Sequence, residues 1–474
     1  MIIKIYNTLT KCKENFINDK KVVNMYVCGV TPYSNMHLGH ARTYIVFDII
    51  RRHLLLRGYL VKHIQNFTDV DDKIINISNI NHINPTEITK KYINEYFQYT
   101  EKLNILKAYA YPRVTMMIQD IIDFIKILIK KGYAYAINGS VYFNIKKFSK
   151  YGMLSNRKFA NYNTVSKKID INKKTYIDFA LWKNKKENDP KEFIWNSPWG
   201  EGRPGWHIEC SVIAYKFLGS TVDIHGGGND LIFPHHENEI AQSEAQTGKQ
   251  FAKYWIHTGF VTINDKKMSK SLNNFISLQN IFKTYEASTV RYYLLTQHYS
   301  KPLQFSYHLM KMAEQSLHNL NETYIKLLYK VSLDSIKKKD NVKSTTILDK
   351  DLLELQEKFF NTMDNNFNSE QALSYLHKLK NLILKDFLGV SIQRLYQFKL
   401  LFEEFYNKSL GFKLPSNNII QDKNLQLILQ ERVQARKNKN WTKSDELRKV
   451  LYQHGYNIID LLDNHFITIK LKNL

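Results

Sequence analysis

The chain has 474 residues, too many for one ordinary hydrophobic core, so about two to four domains are expected. Lys and Arg number 68 against 44 Asp and Glu, a net charge of +24; this suits a polyanionic partner such as nucleic acid, although a general Lys-, Asn-, Ile- and Tyr-rich background gives the same excess. A 43% hydrophobic share, no apolar run of membrane-span length, no signal-peptide core behind the N-terminus and only three cysteines exclude a membrane-spanning or disulfide-framework protein and point to the reducing cytoplasm.

In chain order, Val22–Val27 is β-prone, Ala41–Leu56 has helical apolar spacing, and Gly58–Ile64 reads as a second strand leading into Asn66-Phe67-Thr68-Asp69-Val70-Asp71-Asp72. Strands alternating with helices predict a parallel, doubly wound sheet. Long amphipathic patterns follow at Thr86–Leu106 and Thr115–Lys131. From Gly132 to about Thr221, Lys, Asn and Gly clusters interrupt short runs such as Ser140–Asn144 and Phe179–Lys183, the look of an inserted subdomain. A β-like run resumes at Thr221–His225 and is expected to stop at Gly226-Gly227-Gly228. Beyond Tyr299 the chain reads as helices at Leu309–Lys330, Leu348–Phe367 and Ser369–Leu384, and a basic segment runs from Arg432 to Arg448.

Cys28-Gly-Val-Thr-Pro-Tyr-Ser-Asn-Met-His37-Leu38-Gly39-His40 fills the junction between the first strand and its helix, where free N–H groups attract anions. Two histidines three apart at a helix start can donate to a phosphate under attack, and Gly39 lets a ring or ribose approach the backbone. Lys267-Met268-Ser269-Lys270-Ser271 puts lysines on a loop that can neutralise a departing polyphosphate, although a Lys/Ser loop alone is more often a solvated surface. Cys28, Cys210 of Trp206-His207-Ile208-Glu209-Cys210, and His235 and Glu239 at i, i+4 offer two thiolates, an imidazole and a carboxylate suited to zinc; buried cysteines beside a surface helix remain the plainer alternative. Asp69, Asp71 and Asp72 read more simply as caps on the following helix than as a magnesium site.

His-x-Gly-His after the first strand and Lys-Met-Ser-Lys-Ser after the last strand of a split nucleotide-binding domain resemble the signature pair of the class I aminoacyl-tRNA synthetases. Gly200–Ser211 (GEGRPGWHIECS), Asp223–Ala245, Asn66–Ile74 and Lys267–Phe275 narrow the resemblance to the cysteinyl-tRNA synthetase family, densely over residues 1 to about 300 and more loosely beyond. The resemblance implies that His37 and His40 stabilise the α-phosphate transition state, that Lys270 with Lys267 holds the pyrophosphate, and that Gly39 belongs with them to the ATP site. It further implies one zinc ion on Cys28, Cys210, His235 and Glu239, and Thr68, Trp206 and His225 around the amino acid.

The implied architecture is a Rossmann-type parallel-sheet catalytic domain in two halves (1–131 and 222–300) split by a connective insertion (132–221). A helical bundle (301–400) and a small anticodon-binding domain (401–474) follow. The implied substrates are L-cysteine, ATP with Mg²⁺ and the cysteine tRNA, handled by a cytoplasmic monomer with no membrane partner. A ligase joining cysteine to an amino sugar shares these motifs, and a non-catalytic RNA-binding paralogue is a third reading. The Arg/Lys/Trp content beyond residue 400 argues against the former, and the filled catalytic positions argue against the latter. Two departures from the family pattern stand out: Asn273 replaces the glycine common after the Lys-Met-Ser-Lys-Ser-Leu run, and His465–Leu474 lacks a tryptophan-containing ending.

Overall fold

Two short strands, β1 (Lys4–Asn7) and β2 (Cys12–Asn15), pair antiparallel ahead of β3 (Val22–Val27), which leads directly to the signature loop. The computed structural model describes residues 2–157, 173–264, 266–268, 275–337, 348–387, 389–415, 422–460 and 466–470. It divides into one unit of Met1–Gln279, Gln297–Phe305 and Asp364–Asn368, and a second of Asn280–Thr296, Ser306–Met363 and Ser369–Leu474.

In the first unit, α1 (Leu38–Leu56) follows β3, β4 (Leu60–Gln65) returns parallel to it, and α2 (Asp72–Asn81), α3 (Pro85–Lys102) and α4 (Ile118–Lys130) come next. Four antiparallel strands occupy the expected insertion, β5 (Ala134–Ile137), β6 (Ser140–Phe143), β7 (Phe179–Asn184) and β8 (Gly202–Pro204), in that order across their sheet. After α5 (Ile208–Leu218) the parallel sheet is rejoined by β9 (Val222–Gly228) and, beyond α6 (Glu237–Thr247), by β10 (Ala252–Thr258). The finished parallel sheet has the order β10-β9-β3-β4, the Rossmann-type arrangement anticipated from the sequence. β11 (Val261–Ile263) then pairs with β12 (Lys266–Lys267).

The central strands are buried on both faces, as parallel strands require: Val23, Met25, Tyr26, Val27, Val222 and Ile224 are all inaccessible. One expectation is corrected here. β9 does not stop at its glycines but pairs with β10 through Gly228. The reason is steric, because a Cβ at Gly226 would lie 2.1 Å from the Phe47 ring of α1, so glycine is what lets the helix lie this close. Arg42 of α1, fully buried, donates to the carbonyls of Gly259 (3.0 Å) and Phe260 (2.9 Å), tying the helix to the turn after β10. At the other end of α1, His53 Nε2 lies 2.8 Å from Asp364 Oδ1 and the Arg57 guanidinium joins the same carboxylate. Asn366, two residues on, accepts from Tyr6 N (2.8 Å) and from the Tyr299 hydroxyl (2.7 Å).

α7 (Leu278–Thr284) carries the chain out of the first unit, and β13 (Leu303–Gln304) pairs with β11 within it. The second unit contains α8 (Ala287–Leu295), α9 (Tyr307–Lys337), α10 (Lys350–Asp364, less its last residue), α11 (Ser369–Asp386) and α12 (Ile392–Glu403). Its last elements are α13 (Lys423–Lys437), α14 (Trp441–Gln453) and the antiparallel pair β14 (Tyr456–Asp460) and β15 (Phe466–Lys470). Leu425, Leu429, Leu451, Tyr456 and Ile458 form a small core there. The basic segment from Arg432 to Arg448 spans two helices, and its arginines converge on one carboxylate. Arg432, with no exposed side-chain surface, grips Asp460 at 2.7 and 2.8 Å, and Arg436 and Arg448 reach the same carboxylate. Among the described residues, no helix is long and apolar enough to cross a membrane.

Candidate active site and metal centre

Cys28 sits one residue past the carboxyl end of β3, pinned by its N–H to the Gly226 carbonyl of β9 (3.1 Å). The first turn of α5 brings Cys210, and a π-helical turn (Ile232–His236) running into α6 brings His235 and Glu239. One donor atom from each of Cys28, Cys210, His235 and Glu239 lies within 4.8 Å of the others, and all four residues are buried. The two sulfurs are 3.8 Å apart, Cys28 Sγ is 3.6 Å from Glu239 Oε1, and His235 Nε2 is 3.0 Å from that same oxygen. The four residues proposed from ligand types alone are thus brought to one point.

The four donors respond differently to this environment, and the charges of Glu239 and Cys210 are balanced by His235, whose imidazole, despite its burial, is raised to about 10 by Glu239 and then Cys210. Burial opposes the ionised form of Glu239, but His225 and His235 outweigh it and hold the carboxyl well below its usual range. Burial pushes the Cys28 thiol up. It acts on Cys210 in the same direction, but the hydrogen bond with Cys28 and the nearby His235 bring that thiol down to about 6. Two sulfurs, an imidazole and a carboxylate with no apolar escape fit a borderline-soft divalent ion.

Sequence reasoning left His236, His257 and Thr8, among other polar groups of this corner, unassigned. His236 Nε2 is 3.3 Å from Cys28 Sγ, its Nδ1 is 2.8 Å from His257 Nε2, and His257 Nδ1 is 2.8 Å from the Thr8 hydroxyl. Cys28, His225, His236 and Glu239 form a second convergent group within the same 4.8 Å limit. The signal for His236 was its place in Pro234-His-His-Glu; His257 and Thr8 lie in runs with no motif.

His225, expected beside the amino acid, bonds Glu239 Oε2 at 2.8 Å from β9. Trp206 stacks on His235 with ring centroids 4.5 Å apart. Thr68, beyond β4, is buried; its N–H donates to Val30 O (3.2 Å) and its hydroxyl accepts from Asn66 Nδ2 (3.2 Å). Asn66 also holds the Cys28 loop, accepting from Gly29 N at 2.9 Å, and a Cβ at Gly29 would fall 1.6 Å from the Asn66 carbonyl oxygen, so only glycine permits this approach.

Of the carboxylates after Thr68, expected to cap the next helix, only Asp71 is its side-chain cap. Asp71 caps α2 through Lys73 N (2.9 Å), Asp69 accepts from Thr115 N and Oγ1 (3.0 and 2.6 Å), and Asp72 meets Lys183 and Arg203. Glu209, facing this loop from α5, is fully buried, and burial followed by the adjacent Cys210 raises its carboxyl well above its usual value. Neither of its oxygens has a hydrogen-bond partner of acceptable geometry, although the Thr68 hydroxyl is close enough to offset part of that rise. Cys12 is exposed and remote in sequence from this group, its sulfur beside the Thr10 hydroxyl and the Glu14 carboxylate.

The His-x-Gly-His tetrad forms the N-terminus of α1. His37 is the N-cap: its Nδ1 accepts from His40 N (3.3 Å), while His40 Nδ1 accepts from His37 N (3.4 Å). The two rings stack with centroids 3.6 Å apart, and the rings themselves thus line the helix start, where partial positive charge gathers. Gly39 separates them in sequence, and Met268 Cε would lie 3.8 Å from a Cβ placed there. Glu95 of α3 steadies the approach, accepting from Met36 N (3.0 Å) and Asn35 Nδ2 (2.9 Å).

Lys267 ends β12, its backbone paired with Thr262 of β11, and Met268 is buried. The Lys267 side chain and residues 269–274, including Lys270 and Asn273, lie outside the described residues. The chain re-enters against the tetrad: Leu278 N donates to Met36 O (2.8 Å), and the Phe275 ring meets His37 edge-on at 5.2 Å.

Residues 14–315 match the family of tRNA synthetases class I (C) catalytic domain. The fold is also similar to that of Mycobacterium tuberculosis methionyl-tRNA synthetase in complex with methionyl-adenylate, with a TM-score of 0.57 at 14% identity over 81% of this chain and 89% of that one. Fold and matched domain together define an enzyme of class I of the aminoacyl-tRNA synthetases. The cysteine–tRNA ligase of Endomicrobium trichonymphae is 54% identical over 473 residues, covering 99% of this chain and all of that protein. That of Clostridioides difficile (strain 630) is 44% identical over 459 residues, covering 96% and 97%. The chain belongs to the cysteine–tRNA ligase family.

Proposed function

We propose that this enzyme activates L-cysteine with ATP and transfers the cysteinyl group to the 3′ end of the cysteine tRNA, selecting its amino acid by the thiol. The observation that carries this reading is the buried convergence of Cys28, Cys210, His235 and Glu239 one loop away from the His37–His40 pair. Zinc is the ion that suits the four donors, and when bound it supplies a site for a thiolate that a serine hydroxyl fills poorly. A binding contact committed to one functional group supports discrimination of roughly 10⁴-fold without editing.

In the first step a cysteine carboxylate oxygen attacks the α-phosphorus, the bond to the β-phosphate bridging oxygen breaks, and pyrophosphate leaves. His37 and His40 donate to the α-phosphoryl oxygens, where charge develops, and Lys270 with Lys267 balances the leaving group; ATP enters with Mg²⁺. Thr68 and Trp206 border the amino acid, and His225 braces Glu239. In the second step a hydroxyl of the terminal ribose takes the cysteinyl group and AMP departs. Catalysis by alignment and charge neutralisation requires no side-chain nucleophile. Residues 132–221 serve as the connective insertion and residues 401–474 as the anticodon-reading module of a cytoplasmic monomer.

The test is cysteine-dependent ATP–pyrophosphate exchange by the full, zinc-loaded chain, run beside serine, followed by transfer to cysteine tRNA or to an amine-bearing sugar. Exchange with cysteine and charging of tRNA are expected. Absence of exchange in folded, metal-loaded protein overturns the enzyme assignment, and transfer to the sugar alone moves it to the amino-sugar ligases.

A further inference from the structure

Glu209, in the Trp206–Cys210 run, has no task in the reaction above. Its side chain is inaccessible to solvent, and neither carboxylate oxygen has a well-oriented partner. Two other carboxylates lie near enough to act on it, each already engaged: Asp69 with Thr115 (3.0 and 2.6 Å) and Asp71 with the start of α2 (2.9 Å). Of the three, Glu209 is the one that is fully buried with neither oxygen in a well-oriented hydrogen bond. An interior carboxyl in that condition is costly, and a bound cation or hydrogen-bond donor relieves it.

The position says which donor. Glu209 is next to Cys210 in the chain, and the Thr68 hydroxyl is close enough to act on its carboxyl. In a 1,2-aminothiol such as cysteine the sulfur and the nitrogen are separated by two carbons, so the group that reads the amine must adjoin the group that reads the sulfur. An α-ammonium carries three N–H donors and a charge opposite to that of a carboxylate. We propose that Glu209 accepts the α-ammonium of the substrate and is a specificity-determining residue, reading the amine while the neighbouring thiol-binding corner reads the sulfur. This inference rests on cysteine being the substrate.

Three small thiols separate the roles. L-Cysteine carries all three groups, cysteamine keeps thiol and amine, and 3-mercaptopropionate keeps thiol and carboxylate. Each is titrated calorimetrically into the full, zinc-loaded chain and into Glu209→Gln, with metal content and melting temperature measured on the same samples. The variant is expected to lose about tenfold or more in affinity for cysteine and cysteamine while binding 3-mercaptopropionate within about twofold of the parent. Glu209→Asp, one methylene shorter, should show a smaller loss with the same selectivity, and it serves if the glutamine variant does not fold. Equal losses for all three thiols, or unchanged cysteine binding, overturn the inference and leave the cysteine reading intact. Failure of the parent chain to bind any of the thiols removes both.

Discussion

His37 and His40 cap one another: each imidazole Nδ1 accepts the other residue's backbone N–H, at 3.3 and 3.4 Å. The pair therefore holds the start of α1 and presents stacked rings at the helix end that favours anions.

Capping and chemistry can be separated at His37. Asparagine is among the best N-cap residues, so His37→Asn should keep the melting temperature within about 2 °C while removing the imidazole. ATP–pyrophosphate exchange should fall about 100-fold, the scale of losing one preorganised donor. A variant that exchanges at the parental rate would confine His37 to a structural role.

Glu95 should matter without touching a substrate. Glu95→Ala strips the acceptor from Met36 N–H, the residue before the cap, and should lower kcat for exchange about tenfold while leaving the KM for cysteine near the parental value. Glu95→Gln keeps an oxygen for Met36, and rotation of the Asn35 amide preserves its second contact, so most activity should return. Steady-state exchange kinetics on the three proteins decide it.

Metal retention tests the donor set. Cys28→Ala should lower bound zinc, measured by elemental analysis, from about one per chain to below about a tenth, and weaken cysteine binding with it. A variant retaining full metal would shift attention to a set without Cys28, since both convergent groups include it.

Acid should loosen the C-terminal module through Asp460. Burial alone would raise that carboxyl, but Arg432, then Arg448 and Arg436, outweigh it and hold it below its usual value. A carboxyl depressed on folding contributes stability that is complete above its unfolded pKa of about 3.9 and disappears as pH falls through the folded value. The emission of Trp441, isolated by comparison with a Trp441→Phe chain, should report a transition below about pH 4. Asp460→Asn should be less stable at neutral pH and lose that acid dependence.

How much of this was legible followed the range of each signal. β3, α1 and β4 fall within a few residues of their expected bounds, because period and composition are local. Ligand chemistry offered Cys28, Cys210, His235 and Glu239 only beside the plainer reading of buried cysteines, because the four are scattered in sequence; the family resemblance singled them out, and the fold brings them together. The extension of β9 through Gly226–Gly228 was hidden because glycine is a poor strand former in isolation, and the need for it arises from Phe47, far away in sequence. The inward turn of Arg432 was hidden likewise, since its partner Asp460 lies across a helix and a turn. His257 and Thr8 acquire meaning only through His236, which no spacing rule connects to them.

The Asp364–Asn368 segment has a consequence for the timing of synthesis. His53 and its buried partner Asp364 are 311 positions apart, so the histidine leaves the ribosome long before the carboxylate exists. At about 5–20 residues per second that interval is roughly 15–60 seconds. Throughout it the far end of α1 lacks its counter-charge, and Tyr6 lacks the Asn366 side chain that later joins it to Tyr299. The nascent enzyme must therefore carry its nucleotide-binding half unfinished while nearly all of the chain up to residue 364 is made, and the last stitch comes from a stretch that has no part in the reaction.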